Sequence, residues 1–171
     1  MTKRIYYRNI IISILIVAFL IGIYFYVDKK GGIKSVWRQI SAFPYREGEL
    51  EYSTAPITLG GVALNALIAD TEEKHMVGLS GRRTLSGRQA MLFIFEKPDR
   101  YGIWMRDMLF PIDIIWVDSN LRVVSLISNA TPLSFPTVFE PTSPALYVIE
   151  TKAGFIEKNQ IATGTSLIIF K

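Results

Sequence analysis

Apolar positions along the chain fall into two regimes. Between residues 10 and 27, 16 of 18 positions are apolar, the exceptions being Ser13 and Gly22, and none is charged. Eighteen helical residues rise about 27 Å, close to the hydrocarbon thickness of a bilayer at about 30 Å. Thirteen of the 18 are Ile, Leu, Val or Phe, and at about 0.3–0.6 kcal/mol each they favour insertion by about 4–8 kcal/mol. Tyr6 and Tyr7 precede the stretch, and Tyr24 and Tyr26 lie near its end, where amphipathic rings settle among headgroups. The pattern predicts a basic head over residues 1–9 and one transmembrane helix over 10–27. The following IGIYFYVDKK (21–30) offers no small-residue cleavage site, so the segment reads as an uncleaved signal anchor.

Beyond Gly31-Gly32, Ile33, Val36, Trp37 and Ile40 fall at i, i+3, i+4 and i+7, one apolar stripe on a short helix flanked by Lys34 and Arg38. Such a helix suits the headgroup layer with Trp37 as anchor, and equally suits packing on its own domain or a loose linker. Residues 28–59 are expected to form this helix and a polar tether.

From Gly60-Gly61 the period changes. Residues 62–69 read as a first strand, and Asp70 with Glu73 three residues on is a capping-box pattern for a short helix ending at Gly78 or Gly81, with Met76 and Leu79 towards the core. AMLFIF (90–95) reads as a buried strand. PIDIIWV (111–117) and residues 121–128 read as a hairpin through Asp118-Ser119-Asn120. Residues 131–144 carry four of the eight prolines, which excludes a regular helix or a central strand and predicts a long irregular loop, either a functional flap or a cover over a sheet edge. ALYVIET (145–151) and TSLIIF (165–170) read as further strands around a helical turn at 155–159. The expectation is an α+β, mainly β domain over residues 60–171: a small compact barrel-like sheet with one short helix, preceded by a single transmembrane helix.

Charge follows the same division. The chain of 171 residues is 50% hydrophobic with a formal net charge of +4 and a mean hydropathy of +0.28. From Glu51 onward, eleven Lys and Arg face twelve Asp and Glu, so the positive excess belongs to the membrane-flanking segment. A nucleic-acid partner is therefore not expected, because the folded domain has no basic excess. Lys3, Arg4 and Arg8 before the span are nearly balanced by Lys29, Lys30, Lys34 and Arg38 after it. The short head is the simpler part to retain, which places the C-terminal domain outside the cytoplasm, on a single-pass cell-membrane protein. With no cysteine and one histidine, a disulfide scaffold and a zinc finger are excluded, and no cofactor or metal is expected. No nucleophile elbow, Walker A or dinucleotide fingerprint occurs.

The succession GLSGRRTL (78–85), AMLFIF (90–95), IWMRDMLFPIDIIWVD (103–118), the proline loop and YVIE (147–150) resembles domain-of-unknown-function family 192 over roughly residues 64–170. The resemblance implies a small β-rich, barrel-like domain, often behind a signal peptide or membrane anchor, with no established activity. Four positions depart from the family's common pattern: Ser80 stands where Met is common, Ala90 where Gly is common, and Arg106-Asp107 where Lys-Asn is common.

Candidate chemistry lies in charged positions inside apolar strands. Asp113 shares a strand face with Ile115 and Val117, and Glu150 shares one with Val148 and Leu146. A carboxylate so placed needs a cation or backbone donors, and Arg82, Arg83 and Arg106 are the available cations. Two apart on an extended segment, Trp104 and Arg106 share a face, and an indole beside a guanidinium suits a sugar, an anionic group or a peptide carboxylate. Core packing is nonetheless the more ordinary role for Trp104, and ion pairs fixing the fold the more ordinary role for the charged positions. His75, alone on its helix beside Glu72, is expected at the surface. The function expected is a non-catalytic binding or accessory role at the cell envelope, through Arg82, Trp104, Arg106, Asp113 and Glu150. The alternative is an envelope glycan or peptide hydrolase with Asp113 and Glu150 as acid and base. An exposed apolar patch beside the proline loop would mark a third case, an interaction module for another membrane protein.

Overall fold

A computed structural model describes residues 50–170, which lie within a compact unit running from Tyr45 to Lys171. The expected basic head, the span over 10–27 and the juxtamembrane helix lie outside the described residues. Among the described residues no helix is long and apolar enough to cross a membrane.

Nine strands and two short helices follow in the order β1 (Thr54–Leu59), β2 (Val62–Ala69), α1 (Glu72–Val77), β3 (Gln89–Asp99), β4 (Ile103–Trp104), β5 (Ile112–Val117), β6 (Val123–Ala130), β7 (Val138–Phe139), β8 (Ala145–Lys152), α2 (Phe155–Lys158) and β9 (Leu167–Ile169). Seven strands form one sheet in the order β6-β5-β8-β3-β2-β1-β9, and β4 pairs with β7 in a separate two-stranded ribbon. Only β2 and β3 run parallel, and α1 lies in the crossover between them. The sheet curls into a half-barrel until its edges touch at one end. There Arg122 bridges Ser166, Val123 N donates to Thr165 O at 2.9 Å, and Leu167 N donates to Leu121 O at 2.9 Å. This contact covers part of two edges that would otherwise expose unpaired backbone.

Strand alternation builds two cores. Ile57, Leu64, Ala66, Leu92, Ile115, Val117, Ile149 and Leu167 pack on one face, with α2 contributing Phe155 and Ile156. Ala69, Met91, Phe93, Ile112, Ile114, Trp116 and Val148 pack on the other, under Ile103 of β4 and Leu79, Leu85, Met105 and Met108 from the connecting loops. Covered on both sides, β5 has all six residues buried. Trp116, fully buried, donates its indole N–H to Tyr101 O at 2.8 Å, so its one polar atom is satisfied.

Several expected elements differ in detail. The sheet opens before Gly60: residues 54–59, read as tether, form β1, which pairs in register with β2 from Thr54↔Leu67 to Leu59↔Val62. Thr71 rather than Asp70 caps α1, its hydroxyl accepting from Lys74 N at 3.3 Å, while Asp70 pairs with the Lys74 ammonium at 2.8 Å. That pairing holds the Asp70 carboxyl below its usual range. Met76 is 39% exposed instead of facing the core, whereas Leu79 is buried. The proline loop holds a 3-10 turn at Pro132–Ser134 and strand β7. The helical turn after β8 forms as α2, which gives two short helices where one was expected.

Candidate functional site

The register of β5 on β8 decides which carboxylates can meet. Asp113 lies opposite Thr151, and Ile114 lies opposite Glu150. Cross-strand partners share a face and neighbours along a strand do not, so Asp113 and Glu150 point to opposite sides of the sheet. They cannot flank one bond as an acid and base pair.

Asp113 is fully buried on the α2 side. Its Oδ2 accepts from Ile156 N at 2.8 Å and its Oδ1 from Asn129 N at 2.8 Å. No arginine pairs with it: two backbone donors satisfy the carboxylate, which ties the centre of the sheet to the start of α2 and the end of β6.

Glu150, only 4% exposed, lies between Ile114 of β5 and Met91 of β3 on the other face. Its Oε2 is buried without any hydrogen-bond partner. Burial raises its pKa from 4.5 to about 8, so the side chain carries its proton at neutral pH. The expected cation is not there. A proton-bearing carboxyl is instead a donor without an acceptor, and it lines a cleft of about 40 Å³. That is room for one small polar group, water occupying about 30 Å³ in the liquid.

The cleft is built by the loop after α1 and by β4. Gly78, Leu79 and Ser80 form one wall, Phe93 and Met108 another, and Met76, Gly102 and Trp104 also line it. Gly78 has φ +53°, and a Cβ there would stand 3.2 Å from Phe93 Cζ and 4.0 Å from Glu150 Oε2. Glycine therefore keeps the cleft open as well as meeting the backbone demand. Trp104, 37% exposed, stands at the rim. The Arg106 guanidinium lies 4.8 Å from the Trp104 ring centroid, so the expected indole and guanidinium pair does form.

Arg82 packs 5.5 Å over the Tyr52 ring, with its Nε buried and unpartnered. The Tyr52 hydroxyl donates to Gly78 O at 3.3 Å, linking this arginine to the cleft wall. Of the five residues expected to converge, Trp104 and Glu150 line the cleft, Arg106 stacks on Trp104 without lining it, Arg82 packs on Tyr52, which bonds the Gly78 wall, and Asp113 lies on the opposite face. His75 is half-buried instead of fully at the surface. Its Nε2 lies 2.9 Å from Ala69 O and 3.1 Å from Ile94 O, which fixes the hydrogen on that nitrogen, and its ring packs 4.4 Å from Phe95. Asp107 is solvent-facing, its side chain 72% exposed and its Oδ2 3.7 Å from Arg106 Nε. No group of three or more His, Cys, Asp or Glu among the described residues could hold a metal.

Two of the departures noted above touch one another. The Ser80 hydroxyl donates to Arg106 O at 2.8 Å, and Gly81 N donates to Asp107 O at 2.8 Å, lacing the 78–82 loop to the segment after β4. Asp107 has φ +57°, a left-handed conformation in which Asn and Asp are the favoured non-glycine residues, so the change from Asn to Asp keeps the backbone. The lining residues Met76, Gly78, Phe93 and Met108 were not singled out from the sequence as site residues. For Gly78 and Met108 a signal exists in the pairing of GLSG with WMRDM as two loops of one resemblance; Met76 and Phe93 carry none.

The chain is 29% identical over 111 residues to a UPF0127 protein of Pyrococcus furiosus, an alignment covering 62% of this chain and 87% of the relative. Among solved structures, a Sinorhizobium meliloti protein provisionally described as a transcription regulator superposes with TM-score 0.67 at 25% identity, over 71% of this chain and 98% of the other. A protein of unknown function from Novosphingobium aromaticivorans matches with TM-score 0.67 at 27% identity, over 70% of this chain and 88% of the other. The model of family DUF192, described as uncharacterized ACR, matches residues 55–169, nearly the whole described domain from β1 to β9, and the chain belongs to that family.

Proposed function

We propose that this domain is a non-catalytic, membrane-tethered binding module on the outer side of the cell membrane, held by the span over residues 10–27, and that its ligand enters the cleft above Glu150. The observation that supports this most directly is the buried, unpartnered Glu150 Oε2 at the cleft. A buried donor left unmade costs about 1–3 kcal/mol, and a carbonyl or carboxylate oxygen of a ligand would satisfy it. Trp104 offers an apolar face at the rim and Arg106 a positive charge, which together fit a peptide carboxylate or an acidic sugar. A hydrolase loses support because its acid and base stand on opposite faces of the sheet.

A protein partner is favoured by one further observation. Leu133 is 95% exposed, and Phe135, Val138 and Trp104 are exposed beside it around the proline loop. Trp104 and Phe135 meet edge to face at 6.5 Å, so this apolar surface runs into the cleft rim. A chain segment presenting one acceptor to Glu150 would use both.

The test is a calorimetric screen of short envelope peptides and glycan fragments against the wild type, Trp104→Ala and Arg106→Ala. Binding lost in both variants with melting temperature unchanged is expected. Loss of binding only through unfolding, or binding indifferent to both changes, would refute the reading. Binding that relies on the Glu150 proton also weakens as pH rises through about 8. Protease accessibility of the domain on intact cells checks the orientation, and full protection would overturn it.

A further inference from the structure

A larger groove, independent of the Glu150 cleft, opens where β2 begins and β8 ends. It has a volume of about 660 Å³ and is lined by Gly61, Gly87, Arg88, Lys152, Gly154 and Lys158 among others. Arg88, Lys152 and Lys158 are exposed side chains. No carboxylate lines the groove, and among the described residues none of the three cations forms an ion pair, the pairs there being Asp70 with Lys74 and Arg106 with Asp107. Glu157, next to Lys158 in sequence, lines a neighbouring depression with Asp113 and Asn129 instead. The domain from Glu51 onward has no net positive charge, so three unpaired cations around one groove are a local concentration that overall composition does not require.

The walls suit a ligand that approaches the backbone. A Cβ added at Gly61, Gly87 or Gly154 would meet nothing within 4 Å, so each glycine faces open space instead of a neighbour. Two of them, Gly61 at φ +83° and Gly154 at φ +86°, also hold left-handed turns. The third, Gly87, carries no such backbone requirement.

We propose that this groove is a binding site for a phosphate-bearing polyanion, with Arg88, Lys152 and Lys158 as its charge-assisted donors. Arginine supplies a planar fork for phosphate oxygens, and the two lysines supply mobile point charges. The groove exceeds what one orthophosphate fills, which favours two or more linked phosphates or the headgroup of an anionic phospholipid.

The experiment uses the full-length chain in an uncharged detergent. Amide shifts of Gly61, Gly87 and Gly154 are followed during titration with tripolyphosphate, and separately with dihexanoyl phosphatidylglycerol, with dihexanoyl phosphatidylcholine as the zwitterionic control. Saturable shifts at the three glycines are expected, weakened about tenfold for each cation removed in Arg88→Gln, Lys152→Gln and Lys158→Gln, and weakened by salt. All three positions are exposed, so the melting temperature should hold. A response to tripolyphosphate identifies free phosphates as the source, and a response to phosphatidylglycerol alone identifies the lipid headgroup. No saturable shift with either, or shifts that persist in the triple variant, would overturn the proposal. Loss of ligand binding at Glu150 would leave this result untouched, because the two sites share no lining residue.

Discussion

Replacing Glu150 by glutamine should reverse the order of stability between the two proteins as pH rises. In the unfolded chain this carboxyl ionises near 4.5, and in the fold burial holds the proton on until about pH 8. At about 1.4 kcal/mol per pH unit, raising the carboxyl from 4.5 to about 8 makes ionisation about 5 kcal/mol harder in the native state. Below pH 4.5 both states are protonated and nothing is lost. Between 4.5 and 8 the unfolded chain is ionised while the native chain is not, so native stability declines steadily with rising pH, by about 3 kcal/mol at pH 7. Above about pH 8 the native carboxyl ionises too and the decline levels off. Glu150→Gln keeps the shape and removes the titration, so its stability should be flat where the wild type slopes. The variant should be the weaker at pH 5, where its amide adds a second buried polar group, and the stronger at pH 8. Urea unfolding at pH 5, 6, 7 and 8, followed by the fluorescence of buried Trp116, measures the difference. Parallel pH profiles for the two proteins would refute the claim that Glu150 is buried, protonated and unpartnered.

Other perturbations separate structure from recognition. Asp113→Ala orphans the amides of Ile156 and Asn129 and should cost about 4 kcal/mol, at about 2 for each lost acceptor. A calorimetric melt measures that cost, and ligand affinity at the cleft should be unchanged in the surviving folded fraction. Gly78→Ala places a methyl 3.2 Å from Phe93 Cζ at a positive φ. It should destabilise by about 1–3 kcal/mol and abolish any ligand response at Glu150, which titration of the variant below its melting point checks. Deleting residues 166–170 removes Leu167 from the core and the backbone pairing of β9 with β1, and hydrogen exchange of the β1 amides should rise towards that of an unpaired edge.

Where packing follows the local pattern, the sequence is readable. The alternation in IDIIWV sorts Ile115 and Val117 from Ile112, Ile114 and Trp116, and these residues occupy the two different cores. Residues 62–69 and 145–151 read as strands for the same reason. β1 was hidden by Pro56 and its threonines, although Ala55, Ile57 and Leu59 alternate and Gly60-Gly61 supplies the turn. β4 and β7 have two residues each, too few for any period, and exist because Gly102 lets the proline loop approach: a Cβ there would stand 2.5 Å from Val138 Cγ1. The strand pattern places the carboxylates of Asp113 and Glu150 among apolar neighbours but does not say what meets them. Backbone amides arriving from α2 and β6 satisfy one, and nothing reaches the other. Sequence cannot show this difference, because it depends on a register between strands more than 30 residues apart.

The domain's first and last strands are sheet neighbours, with Ile57 opposite Ile169 and Phe170 N donating to Pro56 O at 3.3 Å. During synthesis β1 can pair at once with β2, but its other edge waits for β9, and the half-barrel cannot seal until residue 169 is free. A chain emerging from its N-terminal end keeps the β9-facing edge of β1 unpaired and the core without Leu167 for almost the whole emergence of the domain, so closure is the final folding event.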